Sequence, residues 1–137
     1  MPIIVLDTEA LSVLASPKER GASARRAQAI IYAASIRNAP IRASAAVLVE
    51  ACRGKSRDAA INRILNQGIG VLPVDPGTAR VAARLLSDNH LDTCSAIDAI
   101  VVATAIRLGE SLIVTSDPED LGRLAMNHPG VEIHPLN

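Results

Sequence analysis

Four carboxylates, Asp7, Glu50, Asp98 and Asp117, stand where the flanking sequence is apolar or opens a helix. Asp7 closes the run Ile3-Ile4-Val5-Leu6, and Asp117 follows Ser111-Leu112-Ile113-Val114-Thr115 with one residue between. Asp98 falls in the first turn of an apolar stretch from Ser95 to Gly109, and Glu50 lies among Val47, Leu48, Val49, Ala51 and Cys52. Acids brought together in such surroundings repel one another. The usual resolution is a hard divalent cation with oxygen ligands, and an all-carboxylate set favours Mg²⁺, with Mn²⁺ as a substitute. A cation held in that way polarises a phosphoryl oxygen and acidifies a bound water. That is the chemistry of phosphodiester hydrolysis without a protein nucleophile.

Each acid also has a purely structural reading. Ser95 and Asp98 can act reciprocally across the first turn as a capping box, although Glu or Gln is the usual partner at the second position. Asp7 can cap the helix that follows it, and Asp117-Pro118-Glu119-Asp120 reads as cap, first-position proline and acidic first turn. Glu50 lies too far into its predicted helix to cap it, but it can pair on the surface with Arg53, three residues on.

No other chemistry competes. His90, His128 and His134 lack the spacing of metal ligands. No glycine-rich phosphate loop follows the first strand, and Ser12, Ser44 and Ser116 have no credible His–Asp partners.

The elements that must position these acids alternate. Strands are predicted at Ile3–Leu6, Ile41–Ser44, Ile69–Val74, Ser111–Thr115 and Val131–His134. Between them lie a short helix after Asp7-Thr8, a polar break at residues 16–21, and a helix from Ala22 to Ile36. Further helices are expected at about Ala45–Arg53, Arg57–Asn66, Pro76–Asp88 and Ser95–Gly109, and after Asp117 to about Asn127. Such alternation predicts an α/β fold, a three-layer α/β/α sandwich around a short central parallel sheet, over the single domain 1–137. Sites in open sheets of this kind lie outside the carboxyl ends of the strands, where Asp7 and Asp117 would then stand.

Composition narrows the function. Of 137 residues 49% are hydrophobic, enough for a core, yet Phe and Trp are absent and Tyr32 is the only aromatic. Stacking of bases on aromatic platforms is therefore almost excluded. The formal net charge is zero, so a polyanion has to be met locally, by a metal or by arginine, which supplies nearly all of the positive charge and suits bidentate phosphate contacts. Arg25, Arg26, Arg37 and Arg53 are candidates for such contacts and can equally form a solvated face, so none is singled out as a site. Cys52 and Cys94 form no Cys-x-x-Cys pair and read as reduced, small core residues. A strand at Ile3 leaves no room for a signal peptide, and no apolar run approaches the roughly 18 residues of a membrane span. A cytoplasmic protein is expected.

In order and spacing, the strand with Asp7-Thr8, then Ser44 and Glu50, Asp98-Ala99 opening an apolar helix, and Thr115-Ser116-Asp117 with Asp120-Leu121 resemble the acidic signature of PIN-domain ribonucleases. The small size is most similar to the VapC toxins of type II toxin–antitoxin systems. The resemblance spans essentially the whole chain. It implies Mg²⁺-dependent cleavage of RNA, a homodimer, and inhibition by a cognate antitoxin. Carried over by position, it implies an acidic quartet of Asp7, Glu50, Asp98 and Asp117, with Asp120 as an accessory metal ligand and Thr115 as the hydroxyl before the last acid. Leu121 departs from the pattern, standing where these toxins often have Phe.

Two other functions are compatible with an acid-bearing α/β fold. A receiver-like phosphotransfer domain needs an acceptor acid after strand three and a lysine after strand five. Asp75 meets the first requirement, but His134-Pro135 stands in place of the second. A non-catalytic interaction module would have no use for the complete acid set.

Overall fold

The computed structural model describes residues 2–137, leaving out the side chains of residues 19 and 20. Five short strands, β1 (Ile3–Leu6), β2 (Ile41–Ser44), β3 (Ile69–Leu72), β4 (Ser111–Thr115) and β5 (Val131–Pro135), form one sheet in the order β3-β2-β1-β4-β5. Every neighbouring pair is parallel, with Val5 between Arg42 and Ile113 and Leu6 between Ala43 and Val114. The central strand is covered on both faces, and its Ile4, Val5 and Leu6 are all buried. This is why it reads as a continuous apolar run rather than an alternating one.

Among the described residues seven α-helices connect and cover the strands: α1 (Thr8–Ala15), α2 (Pro17–Ile36), α3 (Val47–Ala51), α4 (Lys55–Leu65), α5 (Pro76–Asp88), α6 (Ala96–Leu108) and α7 (Pro118–Leu124). The chain steps from β1 to β2 to β3 in one direction, then crosses back to β4 and on to β5. Right-handed crossovers therefore put α1–α4 on one face and α5–α7 on the other. The packing agrees, since α1 touches α2, α3 and α4 while α6 touches α5 and α7. The direction reverses between β1 and β4, which makes their carboxyl ends the topological switch point where a cleft opens. Among the described residues no helix is long and apolar enough to cross a membrane.

With no Phe or Trp, the interior is filled by short side chains. Helix α6 buries Ala99, Val101, Val102, Ala103, Thr104 and Ala105, and the Thr104 hydroxyl donates back to the Ile100 carbonyl at 2.7 Å, so burial leaves it satisfied. The helix stops at Gly109, whose φ of 97° is open to glycine but strained for other residues.

Several expectations are corrected. The polar stretch at residues 16–21 is helical from Pro17, with Pro at the first position and a kink at Gly21 (φ 49°, ψ −114°) joining it to the long helix. β3 ends at Leu72 because Pro73 has no N–H to continue the ladder. α3 is confined to Val47–Ala51. Before it, the Ser44 hydroxyl accepts the Ala46 N–H (3.1 Å); after it, Cys52 is extended and the Asp58 carboxylate accepts the N–H groups of Arg53 and Gly54 (3.0 Å each). α7 stops at Leu124 rather than near Asn127. Ser95 makes no side-chain cap bond, so there is no capping box. A 3-10 turn at Thr93–Ser95 leads into α6 instead, and Asp92 caps it by accepting the Cys94 N–H at 2.9 Å. Both cysteines are free, but that turn leaves Cys94 exposed, and Cys52 packs against the core only half-buried. Leu121 is fully buried, which makes the departure at this position a matter of packing.

Candidate functional site

The acids are delivered by four different elements to one edge of the sheet. Asp7 ends β1 and caps α1, where its Oδ1 accepts the Ala10 N–H at 2.8 Å. It is only 6% exposed. The capping and site readings of this residue are therefore compatible, because one oxygen serves the helix and the residue still lines the cleft. Asp117 follows β4 at the cap position of α7 but makes no side-chain cap bond. Its backbone N–H donates instead to the Thr115 hydroxyl at 2.8 Å, and that hydroxyl is also hydrogen-bonded to Asp7. Thr115 thus ties the ends of the two central strands together.

Asp98 projects from the first turn of α6 and is half-buried. Glu50 comes from α3 on the opposite helical layer, and its Oε1 accepts the Thr8 hydroxyl proton at 2.8 Å. The surface pairing with Arg53 does not form. Among the described residues Arg53 directs its Nη1 to the carbonyls of Val49 (3.2 Å) and Cys52 (3.4 Å).

Asp7, Glu50, Asp98 and Asp117 all line one open depression of about 470 Å³, together with Thr8, Glu9, Ser12, Arg53 and Arg57. Asp120 stands beside it and shares an adjoining small depression with Asp98. One carboxylate oxygen each from Asp98, Asp117 and Asp120 lie within 4.8 Å of one another. Such a cluster of oxygen donors is suited to a hard divalent cation. A slightly larger depression of about 540 Å³, bordered by Leu14, Ile31, Tyr32 and Ile64, has no carboxylate among the described residues of its lining.

The electrostatics report the crowding. Burial pushes the Asp7 carboxyl up to about 6, against the hydrogen bonds from Thr115 and Ala10, with the Asp98 and Glu9 charges adding to the rise. Burial also takes Asp98 up to about 6, reinforced by the charges of Asp117, Glu50 and Asp120. Asp117 is raised by burial and then by Asp120. Groups whose charged forms are destabilised by desolvation and by one another are poised to gain from a cation.

Asp75, the acceptor acid a receiver-like domain would need, is engaged elsewhere. It caps α5 by accepting the Thr78 N–H at 2.8 Å and pairs with Arg107 at 2.7 Å, in a separate depression. Sequence reasoning did not single out Thr8, Ser12 or Arg57 as lining the cleft. For Thr8 the signal was its place next to Asp7. Arg57 carried none, because the break at Gly54 disrupts the helical spacing that would relate it to Glu50.

The sequence matches the family described as PIN domain over residues 4–126. Among curated proteins none matches the sequence. Two of the solved structures that share the fold show its extent. One is VapBC2 from Rickettsia felis bound to a DNA fragment from its promoter, with a TM-score of 0.68 and 14% identity over 97% of this chain and 98% of that one. The other is DNA-bound VapBC from Salmonella typhimurium, with a TM-score of 0.62 and 15% identity over the whole of both chains.

Proposed function

The chain belongs to the PIN-domain family, and from that premise we propose that it is a metal-dependent endoribonuclease, the toxin of a toxin–antitoxin pair. The observation that carries the reading is the gathering of Asp7, Glu50, Asp98 and Asp117 around one depression at the β1–β4 switch point, with Asp120 beside it. Two structural neighbours come from VapBC complexes, which supports a cognate antitoxin as partner. RNA as substrate, a homodimer and a cytoplasmic setting belong to the same reading.

The donor set fits Mg²⁺, with Mn²⁺ as a substitute, since every ligand on offer is a hard carboxylate oxygen. Asp98, Asp117 and Asp120 would hold the cation, with Asp7 and Glu50 completing the negative field. When bound, it supplies Lewis acidity toward a phosphoryl oxygen and toward water. The protein's own part is orientation. Thr8 fixes one oxygen of Glu50 and leaves the other for a water or ligand. Thr115 and the Ala10 N–H fix Asp7. The burial of Asp7 keeps that side of the cleft poorly solvated, where charge interactions are stronger.

The deciding experiment incubates the purified protein with single-stranded RNA and Mg²⁺ or Mn²⁺. Cleavage should require the cation, stop with EDTA, and disappear in Asp98→Asn while that variant remains folded. Wild-type rates in Asp98→Asn would reduce Asp98 to a helix-terminal charge. Absence of RNA cleavage by the wild type with either cation would overturn the function.

A further inference from the structure

The depression holds two cations of the protein's own. Besides its five carboxylates (Asp7, Glu9, Glu50, Asp98 and Asp117) its lining includes Arg53 and Arg57. Arg53 comes from the segment that joins α3 to α4 and Arg57 from the first turn of α4, so they stand close together in the chain on one side of the cleft. In most clefts mixed in this way, arginines are neutralised by the adjacent acids. Here, among the described residues, neither arginine forms an ion pair, and the pair between Arg107 and Asp75 lies in a different depression.

Both are held by neutral carbonyl or hydroxyl groups instead. The Nε of Arg57 donates to the Ala51 carbonyl (3.1 Å) and its Nη1 to the Ser16 hydroxyl (3.0 Å), which fixes the plane of a half-buried guanidinium and leaves Nη2 uncommitted. The Nη1 of Arg53 rests on the Val49 and Cys52 carbonyls. Asp58, whose carboxylate could have paired with either arginine, accepts the backbone N–H groups of Arg53 and Gly54 and so sets the course of the connecting segment. The result is a preorganised pair of donors with unspent charge, beside a site that repels anions.

A polyanionic substrate needs such a feature. Tyr32, the only aromatic, lines the other depression, so base stacking cannot supply affinity here. The phosphodiester backbone is the feature every RNA strand offers such a cleft, and a planar guanidinium is suited to hold phosphate oxygens by two parallel bonds. We propose that Arg53 and Arg57 grip backbone phosphates of single-stranded RNA flanking the scissile one. They thereby seat the strand across the acidic cluster independently of its base sequence. The inference rests on the ribonuclease reading and adds the substrate-holding side of the same site.

The test uses the full-length protein, Arg53→Gln, Arg57→Gln and Arg57→Lys, with two fluorescein-labelled single-stranded RNA 20-mers of unrelated sequence that wild type cleaves. Initial rates are taken at a fixed Mn²⁺ concentration over a range of KCl. Each Gln variant should raise KM by about tenfold on both RNAs, with kcat much less affected, because a contact to unreacting phosphates is uniform binding. Each should also make the fall of log(kcat/KM) with log[KCl] shallower by up to about 0.7 for one lost single-strand phosphate contact. Arg57→Lys should recover part of the salt dependence. The Mn²⁺-induced rise in Tm should persist in all three.

An unchanged KM and salt slope in Arg53→Gln, with wild type still cleaving, would overturn the phosphate grip and leave the nuclease standing. So would a loss of Tm in Arg57→Gln without a change in slope, since that marks a purely structural bond to Ala51 and Ser16. A wild type that cleaves neither this pair nor any other RNA tried with Mn²⁺ would overturn the ribonuclease reading, and this inference with it.

Discussion

Asp7→Asn separates the cost of holding the cluster from its use. The Asp7 carboxyl moves from 3.8 to about 6 on folding, with burial as the main cause. At 1.36 kcal/mol per unit, a rise of roughly two units is about 3 kcal/mol against the ionised form in the folded protein. Since Asp7 is 6% exposed, solvent screening takes little from that figure. The hydrogen bonds from Thr115 and Ala10 are already contained in the net shift. The folded state holds this proton more tightly than the unfolded state does. Metal-free stability therefore falls as pH rises from about 4 to about 6, and the full penalty remains at pH 8. Asparagine has no charge to desolvate and keeps an acceptor for the Ala10 N–H. Urea and thermal melts in EDTA should find Asp7→Asn more stable than wild type by up to about 3 kcal/mol at pH 8, roughly 10 °C in Tm for a domain of this size. At pH 4 the two should nearly coincide. Mn²⁺ should raise the Tm of wild type by mass action and have much less effect on the variant, which should not cleave RNA. A variant that is less stable at pH 8 in EDTA, or that keeps the wild-type pH slope, would refute the argument that ionised Asp7 is a strained element of the fold.

Further outcomes follow from the same geometry. Glu50→Gln should lower Mn²⁺ affinity and cleavage together without loss of metal-free stability, and Thr8→Val should reproduce part of the cleavage defect by freeing Glu50; normal cleavage in both would remove Glu50 from the site. At limiting Mn²⁺, cleavage should fall as pH drops through about 6, where Asp7 and Asp98 take up protons, and raising Mn²⁺ should move the midpoint to lower pH because the cation competes with the proton; a midpoint indifferent to Mn²⁺ would detach these two acids from the metal. Ser95→Ala should change stability by no more than about 0.5 kcal/mol, as for a surface position without a cap bond, and a larger loss in a chemical melt would restore Ser95 as a cap.

The architecture makes plain why acids so far apart in sequence meet. β1 and β4 are neighbours that leave the sheet toward opposite helical layers, so the turn after each opens onto the same gap. Asp7 and Asp117 are carried there by the ends of their strands, and Asp98 by the first turn of α6. Glu50 arrives because β2 is the other neighbour of β1 and α3 begins three residues after it. Repulsion among these groups is tolerated because buried apolar residues hold β1 and β4 in place and Thr115 bonds to both sides.

What the sequence determined by itself was whatever depends on local pattern. The β-branched runs at Ile3 and Ser111, the apolar helix before Gly109 and the cap at Asp75-Pro76 each carry their own signal, and strand–helix alternation leaves few topologies. The four acids were legible for the same reason, as charges at strand ends or in apolar surroundings. Tertiary structure decided what depends on partners distant in the chain. Thr8 takes Glu50 across forty-two positions, which no helical spacing reveals and which stands in place of the alternative pairing with Arg53. Asp92 takes the turn before α6, and Ser95 loses its role. Asp58 folds back on the Arg53 and Gly54 amides, and Arg57 reaches Ser16, so Arg53 and an arginine that the sequence did not single out line the acidic cleft together. A backbone pattern is set by short-range sterics and the period of burial, whereas the partner of a polar side chain is chosen by whichever group packing brings within about 3 Å.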